Sequence, residues 1–268
     1  MVSRSRLASS LHLGLLSLLS AFLLFQVQPV ISKFILPWFG GSPGVWTTSM
    51  LFFQVLLFAG YAYAHGLTQL PRRWQWAVHG TLVLAAVLSL PIAPGPEWKP
   101  SGTEDPVGRI LMVLLANVAL PYFVLSSTSP LGQVWFSRAG GDRKPWRLYA
   151  LSNIGSLAAL LSYPFFFEPR WDVMEQTRMW SVAFGAFALL SWLGAHRDWK
   201  MCSIADAARV EPGAGEDSVA PSWWRRLMWL LLPAVASVLL LATTNHLCQD
   251  VAVIPFLWVL PLSLYLLT

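Results

Sequence analysis

Charged side chains are scarce in this chain. Asp, Glu, Lys and Arg together make up 12% of its 268 residues, against roughly 25% in soluble globular domains. With 56% of residues hydrophobic, so few charges cannot cover a water-exposed surface, which argues against a soluble fold and against counting domains at ~150 residues each. Cysteine is nearly absent. Cys202 and Cys248 lie in a polar loop and beside a predicted helix end, with neither CxxC nor zinc-ligand spacing, and read as unpaired thiols. A phosphate-cradling glycine turn is lacking too: Gly213-Ala214-Gly215 follows no strand and opens no helix directly, so no cofactor site is expected. Basic residues outnumber acidic ones, 18 to 13, but they are scattered through short loops and form no patch for nucleic acid.

What the chain has instead is long apolar runs. Leu24 to His65, LFQVQPVISKFILPWFGGSPGVWTTSMLFFQVLLFAGYAYAH, joins two runs through a connector dense in Pro, Gly and Trp with a single Lys. A bilayer accepts roughly 20 consecutive apolar residues as one spanning helix. Eight such segments can be read, at about 11–31, 45–67, 75–94, 107–127, 147–167, 177–195, 226–243 and 251–268. The expectation is an all-α polytopic transmembrane bundle of about eight spans forming one module over 1–268. Pro91, Pro121, Pro164, Pro233, Pro255 and Pro261 are expected to kink or end some helices.

Short cytoplasmic loops are rich in Lys and Arg. Thirteen of the 18 basic residues fall before the first segment or after the second, fourth and sixth, including Arg4, Arg72, Arg143 and Arg225. The opposite loops hold Lys33, Lys99, Arg109, Arg170 and Arg178 together with acids such as Glu97, Glu168, Asp172 and Asp250. The N-terminus is therefore predicted to be cytoplasmic. The first segment reads as a retained signal anchor, since no small-x-small cleavage site follows it. Residues 196–224, with EPGAGEDSVAPS, read as a flexible cytoplasmic loop. The terminal run LWVLPLSLYLLT has no anchor after it and reads as the edge of a longer chain.

An ionisable residue deep in hydrocarbon costs about 2.5–3.5 kcal/mol on insertion scales. None of the Asp, Glu, Lys or Arg residues falls near the middle of a predicted span, which disfavours a pump built on buried carboxylates. Two polar clusters remain as candidates for a substrate site or polar cavity. Gln26, Gln28 and Lys33 leave the first segment, either facing a cavity or serving as interhelical amides with a snorkelling lysine. Asn245, His246 and Asp250 lie in a short turn; if that turn is helical, the imidazole and carboxylate share one face, as a hydrogen-bonded pair or two ligands of an incomplete metal site. No metal site is expected. If the first and seventh helices meet, the clusters form one pocket in which Asp250 offers a carboxylate to Lys33 or to a cationic solute. His65 reads as interfacial, Asn153 with Gly155 and Ser156 as a close-packing face, and Trp38, Trp46, Trp98, Trp171, Trp223 and Trp224 as membrane-interface anchors.

Three blocks carry a resemblance: Leu24 to His65; SSTSPLGQVWF (Ser126–Phe136) with YALSNIGSLAALLSYPFFFEP (Tyr149–Pro169); and TNHLCQDVAVIPFLWVLPLSLYLLT (Thr244–Thr268). They resemble the membrane region of bacterial fused MFS/spermidine-synthase-like proteins, with PWFGGSP and NHLCQD the most specific strings. The resemblance implies a bacterial inner-membrane module that anchors a soluble synthase-like domain and moves a small cationic, polyamine-like solute. That domain, expected after 268, is absent here, together with its nucleotide-type cofactor site, so aminopropyl transfer by this chain alone is not expected. The expected partners are the lipid bilayer, the fused or associated synthase-like domain and the cationic solute. Two other readings stay open: an autonomous MFS-like small-solute transporter, and a purely structural membrane scaffold.

Overall fold

A computed structural model describes residues 2–40, 43–100, 105–138, 146–205, 222–250 and 259–267. Among these residues every regular element is helical: α1 (Val2–Phe39), α2 (Pro43–Thr68), α3 (Arg72–Leu88), α4 (Pro106–Asn117), α5 (Ala119–Arg138), α6 (Trp146–Ser162), α7 (Val173–Ala205), α8 (Trp223–Asp250) and α9 (Val259–Leu267). A single 3₁₀ turn, Pro96–Trp98, precedes α4, and a π-helical stretch, Tyr163–Phe167, continues α6. Helices are the expected outcome for apolar runs in lipid, because a helix satisfies its backbone groups internally.

Among the described residues four helical stretches are long and apolar enough to cross a membrane: Leu11–Phe39, Gly44–Thr68, Trp146–Phe167 and Trp223–Leu240. A fifth is added if α4 and α5, which bend by 68° at Val118, count as one span. The eight segments read from sequence all overlap helices, but this length-and-apolarity test passes only those four or five. α3 is 17 residues long, short of the ~20 a bilayer asks for. Residues 251–258 of the last segment lie outside the described residues.

Chain-local chemistry sets several helix ends. Gly40, at φ +84°, follows the last residue of α1 in the left-handed conformation that glycine adopts without a Cβ clash. Asp105 caps α4 by accepting from the backbone N–H groups of Val107 and Gly108, at 3.4 and 2.8 Å, with Pro106 at the first helical position. Asp172 and Glu175 open α7 with a reciprocal capping box: Glu175 N–H donates to Asp172 Oδ1 at 2.8 Å, and Asp172 N–H to Glu175 Oε2 at 3.2 Å. α7 continues to Ala205, so residues 196–205 are helical where the sequence suggested loop. Residues 206–221, with the Gly213-Ala214-Gly215 run, lie outside the described residues.

The chain divides into two compact units, Met1–Gly194 with Leu267, and Ala195–Leu266 with Thr268. In the first unit α1 is the central post, packed mainly on α6 and α5. Its buried Val27, Ile31 and Ile35 join Tyr122 and Leu125 of α5 and Phe184 and Phe187 of α7 in one apolar core. Small residues let the helices approach. A Cβ at Gly155 of α6 would run into the Leu18 carbonyl oxygen of α1, and one at Gly60 of α2 into the Ser126 side chain of α5. The small-residue face around Gly155 and Ser156, both buried, is thus a helix-packing face.

Candidate functional site

Gln26, Gln28 and Lys33 do not mark the end of the first helix. α1 runs on through Pro29 and Pro37 to Phe39, which sets the two amides well inside it, 4% and 6% exposed. Proline removes the N–H that would bond the carbonyl four residues earlier, and in a bundle neighbouring groups re-satisfy such backbone. The carbonyls freed in this way are those of Phe25 and Lys33; two other α1 carbonyls accept from aromatic side chains, Trp180 Nε1 donating to Leu23 O at 2.9 Å and Tyr163 Oη to Pro29 O at 3.4 Å.

The polar residues of α1 serve two faces. Gln28 Nε2 meets the Tyr122 hydroxyl of α5 at 3.5 Å, while Ser32 Oγ donates to the Gln28 carbonyl one turn on, at 2.7 Å. Gln26 and Lys33, seven residues apart, share the other face by helical period. Lys33 Nζ lies 2.8 Å from Glu168 Oε1, with side chains 31% and 27% exposed, and 5.8 Å from the centre of the Tyr163 ring. The partner of Lys33 in this unit is therefore Glu168, just past the π-helical stretch, and the sequence reading had not paired them.

Three buried side-chain oxygens of the first unit have no hydrogen-bond partner among the described residues: Gln26 Oε1, Glu168 Oε2 and Gln176 Oε1. Gln176, on α7, is 2% exposed, and its Nε2 donates to Trp171 O at 2.8 Å. An unpaired buried acceptor costs about 1–3 kcal/mol. All three accept hydrogen bonds, so what would satisfy them is a donor.

Asn245, His246 and Asp250 fall within helical α8, so His246 and Asp250 share a face by their spacing. They belong to the second unit, whereas Gln26, Gln28 and Lys33 belong to the first. His246 is exposed, and the side chains of Asn245 and Asp250 lie outside the described residues. Among the described residues no group of three His, Cys, Asp or Glu side chains could hold a metal.

A second buried polar cluster ties α2, α3 and α5 together, and sequence reasoning missed it. His79 of α3 is buried, with Nδ1 3.4 Å from the Tyr63 hydroxyl of α2. Trp135 Nε1 of α5 donates to Gln75 Oε1 at 3.0 Å, and Gln75 Nε2 donates to Leu70 O at 2.7 Å, closing the α2–α3 turn. The only signal was a polar residue at helical spacing in WQWAVHG. His65, singled out instead, is exposed and meets Gln69 Nε2 at 3.0 Å. The cluster reads as a clamp between helices.

The chain matches no family model, no curated protein and no solved structure. Its function rests on the site alone.

Proposed function

We propose that this chain is the multi-pass inner-membrane module of a bacterial protein similar to membrane-fused spermidine synthases. In this reading it has about eight passes and a cytoplasmic N-terminus, anchors a synthase-like domain, and passes a small cationic, polyamine-like solute through its first unit. The observation that carries the solute-handling part is the Lys33–Glu168 pair, in the same unit as the buried, unpaired amide oxygens of Gln26 and Gln176. Polar groups held inside an apolar bundle are costly and are retained where a polar solute must pass.

The test is uptake of labelled putrescine and spermidine by proteoliposomes containing the full chain. Uptake above protein-free vesicles that falls severalfold in Glu168→Gln is expected; no uptake of either amine would leave only the anchoring role. Topology is checked with single cysteines at Ser3 and Ser218, which should resist an impermeant maleimide until the cell is opened. A second reading, an autonomous MFS-like transporter, draws on the 68° bend between α4 and α5, because interrupted helices commonly line transporter sites. It predicts uptake of small solutes other than the two amines.

A further inference from the structure

The face of α1 that carries Gln26 and Lys33 is covered by the corner where α6 gives way to α7. Three contacts fix the register. Glu168 meets Lys33, the Tyr163 hydroxyl meets the Pro29 carbonyl, and Trp180 meets the Leu23 carbonyl. Passing from Glu168 to Trp180 therefore descends α1 from Lys33 to Leu23. Gln176 lies one turn before Trp180, about 6 Å along the helix axis, which brings it level with Gln26. By this register Gln176 Oε1 falls at the height of Gln26 Oε1, with Glu168 Oε2 at that of Lys33, and none of the three has a hydrogen-bond donor among the described residues. At the upper of these two levels a primary ammonium, that of Lys33, sits on the carboxylate and near an aromatic face.

We propose that the seam between α1 and this corner is a binding site for a primary alkylammonium group and that Lys33 occupies it as a built-in stand-in for the ligand. A primary ammonium has three donors and no acceptor. The ligand would displace Lys33 from Glu168 and keep the ion pair and the Tyr163 cation–π contact. Its chain, or a second ammonium, would run toward Gln26 and Gln176, whose oxygens accept from it. An anion meets the Glu168 carboxylate there and a Lys33 that is already paired, so the site favours a cation. This deepens the solute-handling reading and rests on it for physiological meaning, but binding can be measured without transport.

The experiment follows thermal unfolding of the full chain in detergent, as wild type, Lys33→Ala and Lys33→Ala/Glu168→Gln. Each is titrated with propylammonium, tetramethylammonium or potassium chloride at equal ionic strength. Lys33→Ala should melt lower than wild type, and propylammonium should restore the loss saturably. Tetramethylammonium, which has no N–H, and potassium should not, and the double variant should not respond to propylammonium. Tethered Lys33 competes at an effective concentration in roughly the millimolar range, so the wild type should need about tenfold more propylammonium or beyond. If Lys33→Ala does not fold, Lys33→Met, which keeps the apolar stem, takes its place. Equal restoration by the three cations, or an undiminished response of the double variant, would overturn the site. Rescue without vesicle uptake would leave the site standing and remove the transport reading.

Discussion

α1 and α8 both pass as membrane-crossing helices by length and apolarity, yet 72% of the α1 window is buried within the protein and none of the α8 window is. The difference lies in what interrupts the leucines. Between Leu11 and Phe39, α1 carries Gly14, Ser17, Ser20, Gln26, Gln28 and Ser32, and Ser17, Ser20, Gln28 and Ser32 hydrogen-bond to a neighbouring helix or within α1. Ser17 Oγ reaches the Leu148 carbonyl of α6 at 3.2 Å, and Gly14 lies against Leu151. The α8 window carries a single serine, Ser237, and exposes Trp229, Leu230, Leu232, Val235, Val238 and Leu239. Apolarity puts a helix in lipid; small and polar residues decide whether other helices gather round it.

Substitutions that treat the two helices alike should therefore give unlike results. The largest effect is expected at the α1–α6 crossing, where Gly155→Leu drives a side chain into the backbone of α1. Overpacking of this kind costs about 1–3 kcal/mol or more, whereas Ala234→Leu on exposed α8 should stay within about 0.5 kcal/mol; melting temperatures in detergent compare them. Trp180→Phe keeps a ring but strips the donor from the Leu23 carbonyl, at about 1–2 kcal/mol. The matching Trp229→Phe on α8 should change nothing measurable in the same melt. Asp172→Ala, which removes the cap of α7, should cost about 1 kcal/mol, read as a lower melting point and faster proteolysis near the α6–α7 corner. Smallest is Gln28→Leu combined with Tyr122→Phe. Replacing both ends of a long hydrogen bond with apolar groups is nearly neutral, and a double-mutant cycle showing strong coupling would make that pair more than packing.

The helices were legible because each apolar run is a local signal; the caps at Asp105-Pro106 and Asp172-Val-Met-Glu175, short-range signals too, went unread. The extent of α1 was not legible. Gln26, Gln28, Pro29 and Lys33 look like the exit of a span, yet the helix runs on through them with both amides buried. α5 likewise runs to Arg138, so SSTSPLGQVWF is helical although the fourth segment was ended at 127. The candidate site was half visible. Its α1 residues stood out as polar groups in an apolar run, but Glu168 and Gln176 looked like ordinary loop and helix-start residues. Nothing in one sequence links Lys33 to a carboxylate so far along the chain.

The π-helical stretch Tyr163–Phe167 has a further meaning for that pair. Its wide turn, closed by Glu168 N–H on the Tyr163 carbonyl at 2.9 Å, accommodates one residue beyond what an α-helical turn would hold. Each residue of a helix advances the azimuth by about 100°. The alignment of Glu168 with Lys33 is therefore stored as a count of residues, separate from their identity. A change of one residue in the length of YPFFF would dephase the carboxylate from the lysine, while exchanging one of its phenylalanines for leucine would leave the phase intact.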